Sequence, residues 1–192
     1  MRARENLRKL VVLIKEKGAK YDWQSDWNWL EAARLYENTS YVSASSWTAT
    51  NGKNILRWMK EDMGVSVDPH GHETKYNYAD LAWLIGQFGV RASSVVGGFL
   101  YYPADNTQGG WERFRWPIWT STQTSTPYSW KGDILWGAGT YLHQGDDEDS
   151  SGVWRPKDKN NFGTDDPAGA LVNVGGHNVG SASNGTILVG TL

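Results

Sequence analysis

Three times in its N-terminal half the chain runs from an amphipathic helical pattern through a glycine into a short apolar stretch, and this repeat constrains the fold more than any other feature. Leu7, Leu10, Val11 and Ile14 fall at i, i+3, i+4 and i+7; Gly18 then stops the helix and Ala19-Lys-Tyr-Asp22 follows. Ile55, Trp58 and Met59 share a second helical face, ended by Gly64 and followed by Val65-Ser-Val-Asp68. Leu81, Leu84, Ile85 and Phe88 form a third, between Asn77 as N-cap and Gly89, with Ser94-Val-Val-Gly-Gly-Phe-Leu100 beyond. Asparagine before a helix and glycine after it are the expected punctuation, since each satisfies or relieves a helix end. Trp29 to Glu37 reads as one more helix, capped by Ser25 or Asp26. Helix–strand alternation with short links predicts an α/β fold whose parallel strands are joined by right-handed crossovers.

After about residue 102 the character changes. Pro103 to Ser129 is rich in Gly, Thr, Ser, Pro and Trp without a helical period, and Ile134 to Thr140 returns as a strand. Gln144 to Ala168 is a second long polar stretch carrying Asp146-Asp-Glu-Asp149, and Ala170–Val174 and Thr186–Val189 are the last strand candidates. Long segments of this kind in a compact domain usually carry function. Twelve tryptophans are unusual for 192 residues, and many, such as Trp111, Trp116, Trp119, Trp130 and Trp154, lie in polar, Gly/Ser/Thr-rich segments. Indole faces beside polar groups suit a sugar cleft; the same rings equally well pin loops to the domain surface.

Other function classes are narrowed by composition. The length suits one domain over residues 1–192, and a net charge of −2 leaves no basic footprint for nucleic acid. With no cysteine there is no disulfide, zinc–thiolate site or cysteine nucleophile. No apolar run approaches the roughly 20 residues of a membrane span. Met1-Arg-Ala-Arg-Glu-Asn6 leads straight into the amphipathic pattern, so no secretory leader is visible, and an extracytoplasmic location requires one already removed.

The four histidines lie where predicted strands run out, the rim at which α/β folds bind ligands. His70 and His72, at i and i+2 of an extended segment, project to one side and can reach one ion. Asp68 and Glu73 flank them as ligand, imidazole partner or general base. Asp22 ends the first strand on the same rim, with Gln24 and Trp27 as pocket-lining candidates, whereas Asp26 suits a helix cap. His143 and His177 stand alone in their segments as candidate acids, with His143 the better third ligand because of the acidic run beyond it. Trp136, Trp111, Trp154 and Arg155 complete the substrate-binding candidates, with Arg115 as a second cation able to position an oxyanion or pair with a carboxylate. Gly97-Gly98 inside a strand predicts close approach by a ligand or another backbone.

With Val65-Ser-Val-Asp-Pro-His-Gly-His-Glu73, Asn77-Tyr-Ala-Asp-Leu-Ala82, Val95-Val-Gly-Gly-Phe99, Ile134-Leu-Trp-Gly-Ala-Gly-Thr140 and Ser151-Gly-Val-Trp-Arg-Pro156, the chain loosely resembles polysaccharide deacetylase-like proteins of the NodB type over residues 5–175. That resemblance implies an irregular or partial (β/α) barrel with long Trp-rich loops at the carboxyl rim of its strands. It also implies zinc or a similar divalent ion held by an aspartate and two histidines, with an aspartate as base and a histidine as acid. Two departures stand out: the family spaces its metal histidines HxxxH, and its paired aspartates on a first strand have no counterpart before the helix at Met1. The domain is therefore expected to lack that first strand, and self-association follows if the barrel is incomplete.

The leading expectation is a metal-dependent hydrolase that deacetylates a polysaccharide. His70, His72 and Asp22 hold the ion; Asp22, Asp68, Glu73, His143 and His177 are the catalytic candidates. The alternative is a non-catalytic carbohydrate-binding domain with a Trp-lined cleft. Ser43-Ala-Ser-Ser-Trp47, with Lys131-Gly-Asp133 and Gly176-His177, is also similar to the NlpC-type peptidases, but with alanine where their cysteine nucleophile stands.

Overall fold

Five parallel strands and one antiparallel edge strand form the frame on which the candidate residues are mounted. A computed structural model describes residues 2–71, 75–98, 100, 110–137, 152–158 and 161–175. The strands of this sheet are β1 (Asp22–Ser25), β2 (Ser66–Gly71), β3 (Val95–Gly98), β6 (Ile134–Gly137), β8 (Val172–Gly175) and β7 (Gly152–Trp154), in the spatial order β1-β2-β3-β6-β8-β7. Only β7 runs against its neighbour. The parallel strands appear in sequence order across the sheet, the order that right-handed crossovers produce. The expected α/β class with a mostly parallel sheet is therefore present.

The helices begin and end where capping chemistry allows. Helix α1 (Arg2–Glu16) is followed by Gly18 at φ 71°, and α2 (Trp27–Tyr36) starts at Asp26, whose carboxylate accepts from Trp29 N. Helix α3 (Ala44–Thr48) is capped by Ser43, and α4 (Ile55–Arg57) by Asn54. The latter widens into a π turn over Trp58–Met63, closed by Gly64 at φ 73°. Helix α5 (Tyr78–Gly86) opens on a reciprocal capping box between Asn77 and Asp80.

Side chains alternate across the strands, and the covered face carries the core. Trp23, Val67, Val96 and Leu135 join Leu30, Ile55, Met59, Leu81, Leu84 and Ile85 in one buried cluster. Helix α1 is fastened to the rest by a buried polar knot. Arg4 Nε donates to Glu37 Oε1 at 2.7 Å, Arg4 Nη2 to Thr50 Oγ1 at 2.8 Å, and Arg4 Nη1 to the Ser46 carbonyl at 3.0 Å. Glu37 Oε1 also accepts from Ile55 N, so one carboxylate ties α1, the end of α2 and the start of α4 together.

Two expectations change here. Strand β1 begins at Asp22 rather than at Ala19, because pairing starts only where the Tyr21 carbonyl accepts from Ser66 N. The stretch from 103 to 129, expected to be structureless, contains a 3₁₀ turn at Gly110–Phe114 and one strand of an antiparallel pair, β4 (Ile118–Thr120) with β5 (Ser129–Lys131). This pair buries Trp119 and Trp130 beside Tyr78, with ring centroids 5.0 and 6.4 Å from the phenol. Asp80 holds the hairpin loop: its buried carboxylate accepts from Ser121 Oγ, Thr122 N and Oγ1, Gln123 N and, within the capping box, Asn77 N. An Asp80→Asn variant keeps the three bonds to one oxygen and loses the two to the other. The expected loss is about 1–2 kcal/mol of stability, with faster proteolytic cleavage in the 121–128 loop as the readout. Unchanged cleavage would mean that the two aromatic rings alone hold the hairpin.

Candidate functional site

Strand alternation decides which residues can share a site. In β1, Trp23 and Ser25 are buried on the helix-covered side, which turns Asp22 and Gln24 to the other. The register Asp22↔Ser66 and Gln24↔Asp68 places Asp68 and His70 on that same second face, and His70↔Gly97↔Trp136 continues the row across β3 and β6. Asp22, Gln24, Asp68 and His70, singled out from sequence, are thus brought together.

They form a continuous polar line. Gln24 Nε2 donates to Asp22 Oδ2 at 2.9 Å, and Gln24 Oε1 lies 3.0 Å from His70 Nδ1. The amide stands between the carboxylate and the imidazole, so Asp22 meets His70 through Gln24. Gly97 makes room for this contact. A Cβ there would collide with the Gln24 amide and come within 2.7 Å of His70 Nδ1. In a flat sheet, β1 and β3 would lie about 9.5 Å apart on either side of β2. A β1 side chain that reaches the β3 backbone therefore requires a sheet that curls toward this face. A Cβ on Gly98, at φ 88°, would likewise collide with the Gly71 backbone, which is the close approach the glycine pair predicts.

At the lower end of the line is a pair of carboxyl groups. Asp68 is completely buried, and neither of its oxygens, nor Asp22 Oδ1, has a hydrogen-bond donor among the described residues. Burial pushes the Asp68 carboxyl up to about 8, reinforced by the Asp22 carboxylate beside it. The Lys60 charge and the Ser93 hydroxyl pull more weakly the other way. The net upward direction favours the protonated form of Asp68, whose hydroxyl would give the pair the donor it otherwise lacks. Lys60 Nζ donates to Ser93 Oγ at 3.1 Å, and it is the π turn, a feature often found at functional sites, that carries Lys60. Neither Lys60 nor Ser93 carries a sequence signal, because lysine on a polar helix face and serine before a strand are commonplace.

Aromatic groups border the upper end. Trp136 is 55% exposed on the same face as His70, in register with Gly97. Trp27, at the first turn of α2, stacks on Tyr76 with centroids 3.8 Å apart. Trp111 and Trp154 lie elsewhere. Trp111 stacks on Phe114, and Trp154, in register with buried Asn173 on the covered side, packs edge-on against Phe162 and donates to its carbonyl. Arg155 pairs with Asp165, and Arg115 with Asp166. Asp26 is the α2 cap.

His72, Glu73, His143 and His177 lie outside the described residues, as do the acidic run at 146–149 and the strand candidate at 186–189. Among the described residues no three His, Asp or Glu side chains converge to hold an ion, and no helix is long and apolar enough to cross a membrane. Comparison of the chain with protein-family models, with curated proteins and with solved structures finds no match.

Proposed function

We propose that this chain is a hydrolase that removes an acyl group from a carbohydrate, built on a partial (β/α) barrel. In this reading a divalent ion, most suitably zinc, is held by His70 together with His72. The observation that carries the reading is the Asp22–Gln24–His70 line, with exposed aromatic surface at its upper end. The Gln24 carbonyl oxygen on His70 Nδ1 is the kind of outer partner that metal-binding imidazoles have, so His70 suits an ion through Nε2. Bound there, the ion would polarise an acyl carbonyl and acidify a water.

The protein's own groups supply the rest. The Asp68 carboxyl, raised to about 8 by burial and by the Asp22 charge, lies close to where a group exchanges protons best at neutral pH. Trp136, 55% exposed, offers a flat apolar surface for the C–H face of a sugar ring. That surface also favours the second reading, a domain that binds carbohydrate without turning it over.

Elemental analysis of the purified protein and acetate release from an acetylated oligosaccharide separate the two. The hydrolase reading expects stoichiometric zinc, and loss of both zinc and acetate release in a His70→Ala/His72→Ala variant that still binds oligosaccharide. Trp136→Ala should weaken oligosaccharide binding by roughly fivefold, near 1 kcal/mol. Oligosaccharide binding that survives chelation, with no acetate released, would establish the binder.

A further inference from the structure

We infer that Gln24 is a positioning residue that holds His70 in one tautomer, oriented for that task by Asp22 and given room by Gly97. The inference concerns the imidazole of the reading above, but stands on hydrogen-bond direction and packing alone.

Three observations carry it. First, the Gln24 side-chain amide has one donor end and one acceptor end. Its nitrogen points at Asp22 Oδ2, 2.9 Å away, and a carboxylate oxygen there can only accept. The amide oxygen is thereby turned to His70 Nδ1 at 3.0 Å, where it can only accept in turn. Nδ1 must then carry the proton, and the lone pair of the neutral ring falls on Nε2. Second, Gln24 Oε1, Gln24 Cδ and His70 Nδ1 all occupy the place where a Cβ of Gly97 would stand, so the contact depends on glycine at that position. The absence of that Cβ fits the chain to this one hydrogen bond. Third, the Tyr78 hydroxyl, from α5, donates to the Gly97 carbonyl at 2.5 Å, so the backbone beneath the contact is itself held.

An imidazole in water favours the opposite tautomer, with the proton on Nε2, and a site that needs a lone pair on Nε2 gains from reversing that preference. The carboxylate is one residue removed from the imidazole. It therefore sets direction through the amide without placing a full charge against the ring.

The test is ring-nitrogen NMR of the full chain labelled with ¹⁵N-histidine, recorded after chelation at a pH above the imidazole range. A His70→Gln variant assigns the signals. In the wild type, His70 Nδ1 should be protonated and Nε2 unprotonated. Gln24→Leu should shift most of the population to the Nε2-protonated form, and Gln24→Glu, which keeps an acceptor facing Nδ1, should restore the wild-type pattern. Gly97→Ala should behave like Gln24→Leu; if it fails to fold, the two Gln24 variants still decide the matter. A wild-type His70 protonated on Nε2, or a pattern indifferent to Gln24→Leu, overturns the inference. Acetate release plays no part in this readout, so the tautomer and the hydrolase reading fail separately.

Discussion

An Arg4→Ala variant should be less stable by about 3–5 kcal/mol, which for a chain of this size lowers the melting temperature by roughly 6–20 °C. Arg4 and Glu37 form an ion pair at 2.7 Å in which the two side chains are only 5% and 7% exposed. Removing the guanidinium leaves a buried carboxylate with the Ile55 amide as its remaining donor among the described residues. It also takes one donor each from the Ser46 carbonyl and from Thr50 Oγ1, whose own bonds to the Trp47 and Lys53 carbonyls remain. The stranded charge accounts for most of the loss. An Arg4→Met/Glu37→Leu double variant, with nothing left uncompensated, should therefore regain much of it. Urea unfolding of the three proteins decides: a single variant within about 1 kcal/mol of wild type would show that α1 docks by apolar contact alone.

Asp68→Asn should act in the opposite direction, and only at the right pH. The folded protein holds the Asp68 proton up to about pH 8, whereas the unfolded chain releases it near the ordinary value of 3.8. Between those limits the unfolded state binds fewer protons, so stability falls as pH rises from about 4 to about 8 and then levels off. At about 1.4 kcal/mol per unit, the full interval is worth on the order of 5 kcal/mol at pH 8. Asparagine carries no such penalty, and its amide can donate to the Asp22 carboxylate in place of the Asp68 hydroxyl. Chelated wild type and Asp68→Asn should thus melt together near pH 4 and diverge toward pH 8, with the variant more stable. A variant destabilised at pH 8 would mean that Asp68 is ionised in the fold.

The parts legible in the sequence are those governed by local periodicity. Helix faces, the Asn77 cap and the glycines at 18, 64 and 89 define three of the helix ends, and the two-residue period of a strand puts Asp22 with Gln24 and Asp68 with His70. The antiparallel pair around Trp119 and Trp130 was not legible, because three-residue strands are too short for alternation to stand out from a Trp-rich loop. The same holds for β7. Nor was the Arg4 knot, whose partners lie 33 and 46 residues away along the chain, or the face on which Trp154 lands. In the site itself, the sequence names the carboxylates and the imidazole but gives no hint that Gln24 stands between them. That depends on how far the sheet curls, which is a property of all its strands together.

The small space above Gly97 finally offers a rule for sorting sequences. A related chain that preserves the glutamine and the histidine at these positions is constrained to glycine at the third, whereas one that has given up the pair is released from it. The three positions should therefore vary as a unit. A side chain at position 97 would by itself mark a lineage in which this imidazole answers to a different neighbour.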